Sequence, residues 1–321
     1  MEIDALEQVQ LGGTTQWIRT RGTSAANPVL LLMQQGPGLP IINETRAWEQ
    51  RLGLEKDFTV IYWDQRGTGL SALPLGREGR FGITPELMVG DTIALLELLR
   101  DRYGRKPFIA GFSFGATYAA RAAVLRPDLI AAIVGTGMNI DIPLAEHHTY
   151  DWALAQARQR GNQRAARQLE KTGPPPHLDT RKFTTRARWA TNFGGVTAGA
   201  TWNSQARMLA ASLLRSPDYS PAAALRTVRG VTSSLAALLP LLASTDLVTT
   251  MPKLDVPIIL VQGRLDQVAP GAAAQRFYDA LAAPSKQLVW FEHSAHTPQY
   301  DEPARFRDVL LTLLASDLAA T

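Results

Sequence analysis

The segment Gly111-Phe112-Ser113-Phe114-Gly115 places a serine between two glycines in a G-x-S-x-G pattern. A serine hydroxyl attacks carbonyl carbon when the backbone presents it and a base removes its proton. The apolar run Pro107-Phe108-Ile109-Ala110 precedes the pattern, and an alanine-rich stretch over 116–123 follows it. Strand, tight turn and helix form the context in which G-x-S-x-G reads as a nucleophile elbow. Glycines two before and two after the serine let strand and helix approach closely. Ser113 is the candidate nucleophile, and the Phe114 N–H points where an oxyanion would form.

A base and an orienting acid must complete the chemistry. Asp266 lies beyond the strand-like run Val256-Pro257-Ile258-Ile259-Leu260-Val261, and His296 lies beyond Gln287-Leu288-Val289-Trp290-Phe291. Both fall at the carboxyl ends of expected neighbouring strands, on the rim that carries Ser113. Neutral His296 would take the serine proton, and Asp266 would fix its tautomer and stabilise the imidazolium. Asp266 could instead cap a helix near Pro270. His293 competes for the base role, but its place three residues nearer the strand suits a supporting residue better.

Three blocks carry a resemblance that covers almost the whole chain: Gln35-Gly36-Pro37-Gly38, Trp63-Asp64-Gln65-Arg66-Gly67-Thr68-Gly69-Leu70-Ser71, and the elbow. The chain resembles an α/β-hydrolase of the prolyl iminopeptidase-like type. That resemblance implies the triad order Ser113, Asp266, His296. It also implies a second oxyanion donor at Gly36, across a Gly36–Pro37 bond that is a candidate cis peptide. One such donor is worth about 2.7–4 kcal/mol in the transition state. Gln34 and Gln35 stand where the family usually has His-Gly, and Gln35 is a candidate substrate contact. Asp64, Gln65 and Arg66 are expected to be structural and mutually hydrogen-bonded.

Strand-like runs at 14–20, 29–33, 58–63, 107–110, 129–134, 256–261 and 287–291 alternate with helix-like segments, as a largely parallel sheet requires. The first two are expected to open the sheet as an antiparallel edge. Thr84 and Pro85 start a helix over 84–103 with an apolar face, and 303–318 reads as a closing helix. The alternation stops between 140 and 250, where helix-like sequence is broken by Pro174-Pro175-Pro176, Gly194-Gly195, Pro217 and Pro221. The expected organisation is α/β, with 1–139 and 251–321 forming a hydrolase core and 140–250 an inserted helical cap.

The insertion carries thirteen basic residues against seven acidic ones, spaced along helix-like stretches without a nucleic-acid motif. A solvated helical surface explains them, and an anionic substrate is the functional alternative. Trp152, Trp189, Phe193 and Trp202 are candidate pocket residues, with cap packing as their other reading. Proline iminopeptidases resemble one another in holding the substrate amine with cap glutamates, yet the insertion has only Glu146 and Glu170, neither near Trp189 or Trp202. An unpaired buried ammonium is costly.

The absence of cysteine excludes disulfides and thiolate chemistry. The acidic N-terminus lacks a signal-peptide pattern, and no apolar run reaches membrane-spanning length. Neither a cofactor nor a metal is expected, since the adjacent His147 and His148 point in different directions. The partner is a small molecule or short peptide rather than nucleic acid or membrane, and the compartment expected by default is cytoplasmic. The sequence therefore points to a serine hydrolase cleaving an ester, lactone or amide through an acyl-enzyme. Proline iminopeptidase activity and a non-catalytic ligand-binding protein are the alternatives. A transferase using a non-water acceptor shares the same residues.

Overall fold

The computed structural model describes residues 2–72 and 82–318. Its sheet has eight strands in the order β1-β2-β4-β3-β5-β6-β7-β8. These are β1 (Ile3–Leu11), β2 (Thr14–Gly22), β3 (Val29–Met33), β4 (Thr59–Asp64), β5 (Phe108–Phe112), β6 (Ile133–Thr136), β7 (Ile258–Gly263) and β8 (Lys286–Phe291). All neighbours from β4 to β8 pair in parallel, while β2 runs antiparallel to both β1 and β4. Two expectations need correction. The edge hairpin is β1–β2, not β2–β3, and β3 is interior with parallel partners on both sides.

The reason lies in the burial of each strand. Every residue of β3, β4, β5 and β6 is buried, which suits a parallel sheet covered on both faces. β1 and β2 alternate instead, as strands with one wet face do. Their two-residue turn uses Gly12 and Gly13 at φ +51° and +77°, the left-handed geometry that a tight hairpin demands.

Alternation along the strands divides the core into two layers. Leu31, Met33, Ile61, Trp63, Ile109 and Ile133 face α2 (Pro85–Tyr103) and α3 (Phe114–Leu125). Leu30, Leu32, Val60, Tyr62, Phe108 and Phe112 face the side of α1 (Thr45–Leu52) and α12 (Pro303–Leu318). Thr84 caps α2 by accepting from Leu87 N, and Pro85 occupies its first turn.

Between β6 and β7 the chain forms α4 (Ile142–Gln159), α5 (Gln163–Thr172), α6 (Thr180–Asn192), α7 (Trp202–Arg215), α8 (Pro221–Leu242) and α9 (Leu247–Thr250). The outgoing and returning chains meet at a stem. Ile142 N donates to Thr245 O at 2.8 Å, and Leu247 N donates to Ile140 O at 2.7 Å. After β7 come α10 (Gly271–Ala280) and, beyond β8, α11 (Pro298–Asp301). No described helix is long and apolar enough to cross a membrane.

Candidate active site

Ser113 is the one described non-glycine residue with positive φ, at φ 53° and ψ −117°. Such a conformation costs of order 1–3 kcal/mol and persists where its surroundings enforce it. Here they do. Ser113 N donates to Thr136 O on β6 at 2.8 Å, while its carbonyl accepts from Ala116 N and Thr117 N. A Cβ on Gly111 would come within 2.6 Å of Ala116 Cα, and one on Gly115 within 2.4 Å of Met33 O. Both flanking positions therefore require glycine for close approach.

Asp266 divides its two oxygens between tasks. Oδ1 accepts from Val268 N at 2.7 Å and Ala269 N at 2.9 Å, closing the turn after β7. Oδ2 accepts from His296 Nδ1 at 2.8 Å and from Gln262 Nε2 at 3.3 Å. The helix that follows is capped by Pro270, so Asp266 caps its own turn and not α10. Ser113, Asp266 and His296 are 6%, 3% and 7% exposed, whereas His293 lies in the open. His296 rests against Gly137, where a Cβ would stand 2.9 Å from Nδ1. With φ +51°, Gly137 also holds a backbone shape that side chains resist.

The loop after β3 carries Gln34, Gln35 and Gly36. Its backbone passes 2.5 Å from the position of a Gly115 Cβ, against the first turn of α3 where Phe114 lies. Gly36 and Gly38 take the positive φ values in this loop, at +65° and +83°, so neither glutamine has to. The Gly36–Pro37 bond is trans, contrary to expectation; the cis bond among the described residues is Pro175–Pro176. Gln34 is buried and donates to Thr68 Oγ1 at 3.3 Å, whereas Gln35 is half-buried.

Asp64, Gln65 and Arg66 are not mutually bonded as expected. Asp64 accepts from Ile41 N, Ile42 N, Leu70 N and the Tyr219 hydroxyl, tying the site loop to the chain between α7 and α8. Burial pushes its carboxyl above the ordinary value, and those donors pull the other way. Arg66 grips Asp91 on α2 with two bonds of 2.7 and 2.8 Å and donates to Gly12 O at 2.7 Å. Removing one partner of so buried a pair costs about 3–5 kcal/mol.

The insertion reaches the same rim through its 194–200 loop. Gln267 N donates to Gly195 O at 3.1 Å and His296 N to Val196 O at 2.8 Å, so the loop straps the turns of Asp266 and His296 together. Thr197 and Thr297 hydroxyls add a 2.8 Å bond. Trp189 and Phe193 stack at 5.7 Å within a small core that includes Tyr150 and Leu169, and Trp152 meets Phe193 edge-on. Trp202 begins α7, with its N–H on Asn192. Glu146 pairs with buried Arg186 at 2.7 Å and accepts from His177 N, while Glu170 pairs with Arg158 on the surface. Burial holds Arg186 below the usual arginine value, with Glu146 opposing. His148 is exposed and meets Gln267, and no metal-binding group of His, Asp and Glu occurs among the described residues. A cavity of about 560 Å³ lies away from Ser113, between Arg19, Arg46 and Arg51 on one side and Met208 and Arg215 on the other.

Sequence reasoning missed Gly137, the 194–200 strap and Asn139, whose Nδ2 donates to Ser113 Oγ at 2.8 Å. The Gly135-Thr136-Gly137 run at a strand end is the one signal that pointed there.

Residues 54–303 match the family described as Serine aminopeptidase, S33. A probable aminopeptidase, YbaC, of Bacillus subtilis is 28% identical over 314 residues, covering 96% of this chain and 95% of its own. Proline iminopeptidase of Mycobacterium smegmatis superposes with a TM-score of 0.69 at 19% identity, covering 99% of this chain and 100% of that one. The esterase RhEst1 of Rhodococcus sp. does so with a TM-score of 0.64 at 20% identity, covering 97% and 98%.

Proposed function

Since the chain belongs to the serine aminopeptidase S33 family of α/β-hydrolases, we propose that it is a hydrolase whose nucleophile is Ser113, with His296 as base and Asp266 as its orienting acid. The observation that carries this reading is the 2.8 Å Asp266–His296 bond at neighbouring strand ends, on the rim that holds Ser113 at a strained elbow. Ser113 Oγ attacks the acyl carbon and His296 Nε2 takes its proton, then delivers it to the leaving group. Water repeats the sequence on the acyl-enzyme. The Gly36 and Phe114 N–H groups stabilise the oxyanion.

We read residues 140–250 as a cap over a core of 1–139 and 251–321. With the three residues so enclosed, substrate enters when the cap opens, and Gln35, Trp152, Trp189, Phe193 and Trp202 are its candidate contacts. The substrate is a small acyl compound, an ester, lactone or amide, without a free α-amino group at the scissile end. Both cap glutamates are engaged by arginines, which leaves neither free for an ammonium. Release of an N-terminal residue, proline above all, is the second reading, favoured by the family and by the aminopeptidase relative.

A p-nitrophenyl acyl ester series run beside proline and alanine arylamides separates the two. Fast ester turnover with inert arylamides is expected; rapid arylamide cleavage would move the enzyme to the aminopeptidases.

A further inference from the structure

The reaction outlined above leaves one buried amide without a task. Asn139 lies three residues beyond β6 and is 4% exposed. Its Nδ2 donates to Ser113 Oγ at 2.8 Å, and among the described residues no other side chain hydrogen-bonds that oxygen. Thr117 Oγ1 on α3 donates to the Asn139 carbonyl at 2.9 Å. The next carbonyl, of Ile140, receives Leu247 N across the stem. The main chain that carries the amide is thus held from the elbow helix on one side and the stem on the other.

We propose that Asn139 is a catalytic residue for deacylation, a donor that favours expulsion of Ser113 Oγ from the acyl-enzyme. The proposal rests on Ser113 being the nucleophile. A hydroxyl or alkoxide oxygen accepts a hydrogen bond well, and a charged one best. The alkyl oxygen of an ester shares its lone pair with the carbonyl and accepts poorly. In deacylation, water adds to the acyl carbon and gives its proton to His296 Nε2. The adduct collapses as the C–Oγ bond breaks, its electron pair stays on Oγ, and the proton on His296 Nε2 passes to Oγ. The acid product then leaves. The Asn139 bond is weak at the start of this step and complete at its end. Acylation runs the other way and gains nothing from it.

Asn139→Ala and Asn139→Ser both remove the reach to Oγ, and Ser keeps a polar group in the buried site. Stopped-flow hydrolysis of p-nitrophenyl acetate separates the two half-reactions, with thermal melting to select folded variants and fluorophosphonate labelling of Ser113 alongside. The expected result is a kcat lowered about tenfold, the loss of one hydrogen bond. kcat/KM should not fall, a burst should approach one p-nitrophenolate per site, and labelling should persist. A fall of kcat and kcat/KM together in a folded, labelled variant would overturn the role of Asn139 alone, as would no change in either. Absence of labelling in the wild type would overturn the nucleophile assignment, and this role with it.

Discussion

The sheet rim and the helical insertion hold their polar groups by different means. On the rim, Ser113, Gly137 and Asp266 follow the fully or mostly buried strands β5, β6 and β7, and backbone bonds between neighbouring turns fix them, while His296 follows the half-buried edge strand β8 and is held by its N–H on Val196 O. In the insertion, α4, α5 and α6 share a small core of alanines and aromatics, and Leu214, Leu225, Val228 and Leu241 remain exposed. The sheet sets positions to a fraction of an ångström, as chemistry at a reacting carbon requires. Helix packing of the second kind permits adjustment. Rim substitutions should therefore change kcat at nearly constant stability, whereas insertion substitutions should change stability and KM.

The largest test of that contrast is Ser113→Ala, which should abolish turnover while the melting temperature stays near that of wild type. Asp266→Asn follows, with kcat expected to fall by about 10⁴-fold, as for triads in general. Retained activity in either variant would remove the rim from the chemistry. Gly137→Ala adds a methyl 2.9 Å from His296 Nδ1 at a positive φ. Its kcat should drop on the order of 10²-fold, the scale of a misplaced catalytic group, with KM little altered.

In the insertion, Glu146→Ala leaves Arg186 buried without its carboxylate, and denaturant melts should show a loss of about 3–5 kcal/mol. Turnover of the remaining folded protein should keep its kcat. The smallest expected effect is on pH dependence. Burial, more than any charge, holds His177 below its ordinary pKa, and its Nε2 meets Gly173 O. The unfolded chain therefore takes up that proton first as pH falls. The His177 contribution is complete above about pH 6.5 and is lost below it, levelling off beneath the folded pKa. His177→Gln should flatten the pH dependence of melting in that window, and an unchanged profile would remove His177 from it.

The same contrast explains what was legible in the sequence. The elbow glycines, the capped start of α2 and the interior strands β3, β4, β5 and β7 are written as local patterns, because burial on both faces leaves a continuous apolar run, whereas β6 starts at Ile133 and not at 129 as expected. β1 was missed since Asp4 and Glu7 give it the look of an acidic tail, whereas those residues sit on a one-sided edge strand. The interior place of β3 depends on pairing order, which no local run encodes. Trp189 on α6 and Phe193 just past its end are four residues apart, a spacing that serves a pocket and a core alike, and their rings stack at 5.7 Å. Asn139 was invisible for another reason. Its meaning comes from three residues of loop geometry beyond β6, where one amide meets Ser113.

The most direct test of the account is fluorophosphonate labelling followed by peptide mass mapping on wild type, His296→Ala and Glu146→Ala. One adduct per chain on Ser113 is expected, with labelling slowed by orders of magnitude in His296→Ala and preserved in folded Glu146→Ala. A natively folded wild type that takes no label, or takes it at another residue, would contradict the assignment of Ser113, Asp266 and His296 as the reacting centre.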